Sequence, residues 1–376
     1  MRHSFFLPRC SPRRRDSPFG IGGENACYRQ LLSNRPRTLV ILYTADESME
    51  TTISPSLVSM LRCPIHHSPL DISGDQLICT FGDTYPVFLG IPILLVRDVA
   101  KTKFWDSYER LARNECPEAM WKPSVEEKIH PAVQVTIGAT SGYMYKHLIG
   151  KLQEYPIPEI RVPQSNGSEL LDIGCGWGRW SAAAARRGYR VTGIDPDIGL
   201  LFTARTVLSQ LGLNANFVCA DARYLPFADN NFTCVFSYSV IQHFSKEDAK
   251  QTLIEVGRVL KSDGSALIQM PNKFGIRSAY HQFRMKIKPG GVFAVRYWSP
   301  NELRNTFEAS IGPTVLSVDG YFGLGMQPSD ARFMTKGRRI ILHASETLRQ
   351  ASETYSGLLN LADSLYVHTR KGEPGN

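Results

Sequence analysis

No stretch of this sequence stays apolar for long enough to cross a bilayer. The longest apolar run, Val87 to Val96, is broken by Gly90 and Pro92 and falls well short of the roughly 20 residues that a helical span requires. No transmembrane segment is therefore expected. Cysteine is sparse and poorly spaced for a disulfide framework. Eight cysteines are scattered over 376 residues, which suits a reducing, cytoplasmic setting better than secretion. No apolar core follows the N-terminal arginines, so a secretory leader is not expected either. Internal repeats are lacking. Excess charge is modest as well: the net charge is +8, but residues 1–48 hold eight arginines against four acids. The remainder carries only +4, which argues weakly for a polyanionic partner.

What is present is apolar enough for a substantial core, with 43% hydrophobic residues. The length suggests two domains, or one with additions. Residues 1–50 read as a disordered basic tail, rich in arginine, proline and glycine, with Thr38 to Tyr43 the one short strand-like run. Residues 51–98 read as a compact β-rich module. Residues 99–167 read as a helical connector, with Trp105, Tyr108 and Leu111 at helical spacing, closed by Pro156, Pro158, Pro163 and Asn166-Gly167. From residue 168 to 376 strand and helix patterns alternate, as in a parallel sheet covered on both faces. Insertions are expected at 273–298 and 329–360.

The chain is organised around Leu170-Leu171-Asp172-Ile173-Gly174-Cys175-Gly176-Trp177-Gly178-Arg179. A short apolar run ends in three alternate glycines and passes at once into an alanine-rich helical stretch. The pattern predicts a buried strand, a tight turn and a helix whose free N–H groups face that turn. A ligand can approach the backbone where side chains are missing. Tyr189 to Asp195 reads as a second strand ending in an acid, roughly 20 residues beyond the first glycine, where nucleotide-binding sheets grip ribose hydroxyls. Ala215 to Asp221 reads as a third strand ending in another acid. Leu225-Pro226-Phe227 follows, then a strand from Phe232 to Ser237.

This ordered set resembles class I S-adenosylmethionine-dependent methyltransferases, type 11-like, which combine D-x-G-x-G-x-G, an acid after the second strand, and D-A-x-x-L-P-F before the fourth. The resemblance covers roughly Ser168 to Met270. It implies an α/β fold, a Rossmann-like seven-stranded sheet with helices on both faces. It also implies that Gly174, Gly176 and Gly178 admit the methionine part of S-adenosylmethionine, and that Asp172 orders the turn or reaches the cofactor's amino group. Asp195 would take the ribose hydroxyls, Asp221 and Ala222 the adenine, and Ser237 would complete the cofactor set.

The acceptor is harder to read. Tyr238, Gln242 and His243 follow the fourth strand, where the acceptor should sit. An imidazole titrates near neutrality, so His243 is the candidate general base for a hydroxyl acceptor. Met270-Pro271-Asn272 is not N/D-P-P-[YF], which argues against amino methylation of adenine, cytosine or glutamine. Arg277, Tyr280, His281, Arg284, Lys286, Lys288 and Arg296 form a basic, aromatic-containing insertion suited to phosphate, carboxylate or a nucleic-acid backbone. Of these, Tyr280, His281 and Arg284 are the substrate-side candidates. Tyr143 and Tyr145 are further pocket candidates. The expected activity is O- or N-methylation of a small metabolite or a glycan- or lipid-linked precursor. An RNA acceptor and a non-catalytic cofactor-binding partner are the alternatives, and oligomeric state is not legible.

The 51–98 module is similar to a small zinc-ribbon-like domain that activates translation-related methyltransferases or precedes other methyltransferases. The likeness rests on Cys63-Pro64, Leu77-Ile78-Cys79 and Tyr85-Pro86 leading to Gly90-Ile91-Pro92. Zinc needs about four nitrogen or sulfur ligands. Cys63, His66 and Cys79 are the candidates, with His67 next, and no fourth ligand is visible after Cys79. The expectation is a metal-free mini-domain with buried cysteines, serving docking or substrate presentation.

Overall fold

The structure is a computed structural model and describes residues 53–96, 129, 131–140, 144–287, 295–323, 325 and 327–372. The basic tail, Trp105, Tyr108, Leu111, Tyr143, Lys288 and the side chain of Lys286 lie outside the described residues. Helix α1 (Pro55–Met60) leads to four short strands, β1 (Leu70–Ser73), β2 (Gln76–Cys79), β3 (Thr84–Phe88) and β4 (Ile91–Leu94). After α2 (Pro131–Ala139) come β5 (Glu169–Ile173), α3 (Arg179–Arg186), β6 (Arg190–Asp195), α4 (Ile198–Gln210), β7 (Ala215–Ala220) and β8 (Phe232–Ser237). The chain continues through α5 (Lys246–Val259), β9 (Leu260–Pro271), α6 (Ile276–Ile287), α7 (Pro300–Ser310), β10 (Thr314–Gly320), α8 (Lys336–Thr354) and β11 (Ser364–Arg370).

Local chemistry sets several of these boundaries. The Ser245 hydroxyl accepts from the Asp248 amide and starts α5. Ser299 and Glu302 form a reciprocal capping box on α7, with Pro300 in its first turn. The Asp197 carboxylate accepts from the Gly199 and Leu200 amides and starts α4.

The strands lie in the order β1-β2-β3-β4-β7-β6-β5-β8-β9-β11-β10. Strand β5 pairs in parallel with β6 and β8, so their C-terminal ends share one edge. Strand β11 runs antiparallel to both β9 and β10. Alternate residues of the strands feed two cores. Leu171, Ile173 and Val235 enter the core that includes α5 and α7, while Leu170, Phe217 and Phe236 enter the one beneath α3 and α4. Among the described residues, no helix is long and apolar enough to cross a membrane.

One expectation is corrected here. A seven-stranded sheet with a separate N-terminal module becomes one continuous sheet, because β4 lies parallel to β7, with Ile93 opposite Cys219. Leu57, Leu61, Leu77 and Tyr85 also share a core with Leu225, Phe227 and Phe232. Leu61 bridges to Phe227, the Arg62 amide donates to the Pro226 carbonyl, and the Ala228 amide donates to Met60. Ser262-Asp263-Gly264, a turn-forming triplet by composition, lies within β9. Strand β9 starts already at Leu260, and its register against β8 jumps from Phe232↔Leu260 to Cys234↔Ser265. The extra residues are absorbed as an irregularity within the strand.

Candidate functional site

The parallel strands deliver the glycine turn, Asp195, Asp221 and the segment after Ser237 to one edge of the sheet. Loops at the C-terminal ends of parallel strands form the crevice where such sheets bind ligands. The amides of Gly174 and Cys175 both donate to the Ile194 carbonyl, which folds the turn against the end of β6. The three glycines then do different work. A Cβ on Gly174 would fall 2.3 Å from a Val240 methyl, and one on Gly178 would fall 2.9 Å from Leu208. Gly174 thus admits the loop after β8, and Gly178 lets α3 meet α4. Gly176, at φ +54°, has no other atom within 4 Å of where its Cβ would stand. Its bare face opens a cradle beside the backbone.

Asp195 closes this cradle from below. It is 8% exposed; its Oδ2 accepts from the Gly176 amide at 3.1 Å and its Oδ1 from the Asp197 amide at 3.0 Å. Burial pushes its pKa up to about 7 against the pull of those two amides, with the charges of Asp197 and Asp172 adding to the rise. A carboxylate offers about four lone-pair sites, so two remain for outside donors. Asp172 sits deeper. It accepts from the Ser181 hydroxyl at 2.6 Å, and burial likewise raises its pKa to about 7. It ties the turn to the first turns of α3.

Asp221 is engaged with its neighbour. Its Oδ1 accepts from the Arg223 amide and Nε, and its Oδ2 from Nη2 at 2.6 Å. One lone pair of Oδ2 is left over, and Ala222 stands buried beside it. Ser237 ends β8. It is buried and donates to the Ile173 carbonyl at 3.1 Å, joining β8 to β5. Tyr238 is buried: its hydroxyl donates to Asp319 Oδ2 at 2.7 Å, and burial holds its pKa far above the ordinary phenol value. Tyr145 is core as well, donating to Asp330 from a fully buried position.

Gln242 and His243 end a single 3-10 turn, Ile241–His243, after β8. Gln242 Nε2 lies 3.3 Å from His243 Nε2, while Gln242 Oε1 is buried with no hydrogen-bond partner among the described residues. Arg296 secures this turn from the basic insertion, its amide donating to the Gln242 carbonyl and its Nη1 to the His243 carbonyl. Tyr280, His281 and Arg284 are exposed on α6, and His281 Nδ1 lies 2.9 Å from the Tyr297 hydroxyl. Arg277 donates to the Phe322 carbonyl.

Several polar contacts among these elements escape sequence reasoning. Ser239 holds a left-handed φ of +60°, with its amide and hydroxyl donating to Gln269 Oε1. Arg179, directly after the glycine turn, forms a buried two-pronged pair with Asp330 at 2.9 and 2.8 Å. Asp319 collects Tyr238, Gln327 and Ser364 behind β8. A depression of about 410 Å³ is lined by Ile157, Arg186, Ser329 and Arg332, and no residue of the glycine turn lines it.

In the N-terminal region, Cys63, His66 and Cys79 lie together, joined by Asp83, which the sequence reading missed. His67 turns away, exposed at φ +54°.

Residues 170–264 match a family described as a methyltransferase domain. The chain is 40% identical over 105 residues to the biotin biosynthesis bifunctional protein BioHC of Cellvibrio japonicus, covering 28% of this chain and 20% of that protein. It is 37% identical over 104 residues to the uncharacterized methyltransferase YodH of Bacillus subtilis, covering 28% and 43%. It is 26% identical over 160 residues to a ubiquinone biosynthesis O-methyltransferase of Coxiella burnetii, covering 41% and 67%. The first two similarities thus span less than half the length of those relatives. A solved structure of Haemonchus contortus phosphoethanolamine N-methyltransferase 2 with S-adenosyl-L-methionine aligns with a TM-score of 0.42 at 17% identity, over 64% of this chain and 60% of that one.

Proposed function

We propose that this chain is an S-adenosylmethionine-dependent methyltransferase acting on oxygen or nitrogen of a small metabolite or a glycan- or lipid-linked precursor. The observation that carries this reading is the coupling of the Gly176 cradle to Asp195. A bare backbone face and a buried carboxylate with spare lone pairs sit one hydrogen bond apart, as a nucleoside with a ribose diol requires. S-adenosylmethionine supplies an electrophilic methyl on a sulfonium, so the protein's part is orientation and exclusion of water.

The chain's own residues fit that part. Asp195 in its ionised form would accept both ribose hydroxyls, and Asp221 would accept from the adenine amino group through its remaining lone pair. Gly176 would let the amino-acid end lie against the backbone. Val240, over Gly174, fixes the approach of the loop that carries Gln242 and His243. His243 would take the proton that a hydroxyl acceptor releases. The buried Gln242 Oε1 has an unmet acceptor site and would orient a donor beside it. Arg296 would hold that turn in place through two backbone carbonyls.

The test uses radiolabelled S-adenosylmethionine with fractionated extracts. Label in the small-molecule or lipid-linked fraction supports the reading, and label in RNA moves the acceptor to nucleic acid. Protein that binds neither S-adenosylmethionine nor S-adenosylhomocysteine in calorimetry overturns it.

A further inference from the structure

The cluster in the N-terminal strands lies apart from the methyl-transfer edge, and its geometry is that of a metal site. One ligand atom from each of Cys63, His66, Cys79 and Asp83 lies within 4.8 Å of all the others. His66 Nδ1 is 3.5 Å from Cys63 Sγ, 3.6 Å from Cys79 Sγ and 3.0 Å from Asp83 Oδ2. Cys63 Sγ is 4.0 Å from Asp83 Oδ2. Zn–S bonds of about 2.3 Å and Zn–N or Zn–O bonds of about 2.0 Å separate tetrahedral donors by roughly 3.3–3.8 Å. The four spacings fall around that range.

Two facing turns build the cluster. In the first, the His67 amide donates to the Cys63 carbonyl and the Cys63 amide to Ser68. In the second, the Gly82 amide donates to Cys79 and the Cys79 amide to Asp83, with Gly82 at φ +93°. The second turn curls Asp83 back beside Cys79. That is why the carboxylate is invisible in a linear search for cysteine and histidine.

The sulfurs are also provided for. Cys63 Sγ accepts from the His66 amide and lies 3.2 Å from the Tyr85 hydroxyl. Cys79 Sγ accepts from the Phe81 amide and lies 3.2 Å from the Ser68 hydroxyl. Donors gathered around two buried sulfurs suit thiolates, and such outer partners orient and tune metal ligands.

We propose that Cys63, His66 through Nδ1, Cys79 and Asp83 bind one zinc ion, with Asp83 as the fourth ligand. Binding forms two Zn–S bonds, one Zn–N bond and one Zn–O bond; both thiols give up their protons to solvent, and no electron is transferred. Two thiolates with one imidazole select zinc over magnesium or calcium. The ion would tie the β2–β3 turn to the Cys63 turn, one residue from Arg62. Since Met60 and Arg62 are hydrogen-bonded to Ala228 and Pro226, the site braces the segment that follows Asp221.

The full chain, expressed with zinc, should carry about one equivalent by elemental analysis. Cobalt exchange should give the visible bands of a tetrahedral ion with thiolate-to-metal charge transfer. Asp83→Ala should lose more than about tenfold in zinc affinity. Asp83→Cys should regain it and strengthen the charge-transfer band, which separates ligand loss from misfolding. Chelation should lower the melting temperature. Protein with only trace zinc and an aquo-like cobalt spectrum overturns the site, and Asp83→Ala with unchanged affinity and spectrum overturns the fourth ligand. None of these readouts depends on S-adenosylmethionine, so they stand or fall separately from the methyl-transfer reading.

Discussion

The amide of Gly176 donates to Oδ2 of Asp195 across 3.1 Å, joining the barest point of the glycine turn to the acid that ends β6. The turn cannot move without the carboxylate, and the carboxylate cannot titrate without the turn feeling it. Asp195→Ala should weaken S-adenosylhomocysteine binding by about one to three kcal/mol, the scale of a lost charged hydrogen bond. Titration calorimetry reads it, and unchanged affinity would remove Asp195 from the site.

The same carboxyl makes binding depend on pH. With its pKa raised to about 7 by burial, Asp195 is largely protonated in the free protein below that pH, whereas a ribose diol favours the ionised acceptor. Affinity should therefore rise with pH up to about 7 and then level off, and binding at pH 6 should release a proton. Calorimetry in buffers of different ionisation enthalpy counts that proton. A flat profile contradicts the ribose role.

Asp172 should govern stability rather than binding. Its folded pKa of about 7 stands above the ~3.9 of an unfolded aspartate, so the folded state holds the proton more tightly. The resulting stabilisation is complete below about pH 4 and is lost as pH climbs to about 7. Asp172→Asn keeps an acceptor for Ser181 and removes the charge. It should raise stability at pH 8 by on the order of a few kcal/mol and change little at pH 4. Denaturant melts at the two pH values decide it.

For His243, the separation is between chemistry and positioning. His243→Ala should cut turnover on a hydroxyl acceptor by about 10²–10⁴-fold while cofactor affinity holds. Full turnover in that variant would leave alignment as the residue's contribution.

Arg179 and Asp330 form a pair with almost no exposure on either side chain. Removing one partner strands a buried charge, so Arg179→Ala should cost about 3–5 kcal/mol. Replacing both by apolar residues should recover most of that loss, as chemical denaturation of the single and double variants would show.

The sequence carried the backbone of this site well and its side-chain partners poorly. Glycines at alternate positions after an apolar run, and acids at strand ends, are dictated by local conformation, so Gly174, Gly176, Gly178 and Asp195 were legible. The partners of Ser237 and Tyr238 at the end of β8 were not legible, because Ile173 and Asp319, which take their hydroxyls, lie far off in the chain. The Arg179–Asp330 pair joins residues 151 apart in the chain, and no local pattern announces it. Asp83 was hidden for a different reason: a turn, not a spacing rule, returns it to Cys79.

The pairing of β4 with β7 reaches from Ile93 to Cys219, and that span bears on how the chain is made. Synthesis finishes β1 to β4 long before β7 exists, so the early hairpins must wait with an unpaired edge. Long-range strand pairing of this kind is slow to form and exposes partly built sheet to aggregation in the interval. The first four strands should therefore acquire full protection from hydrogen exchange only after β7 has emerged.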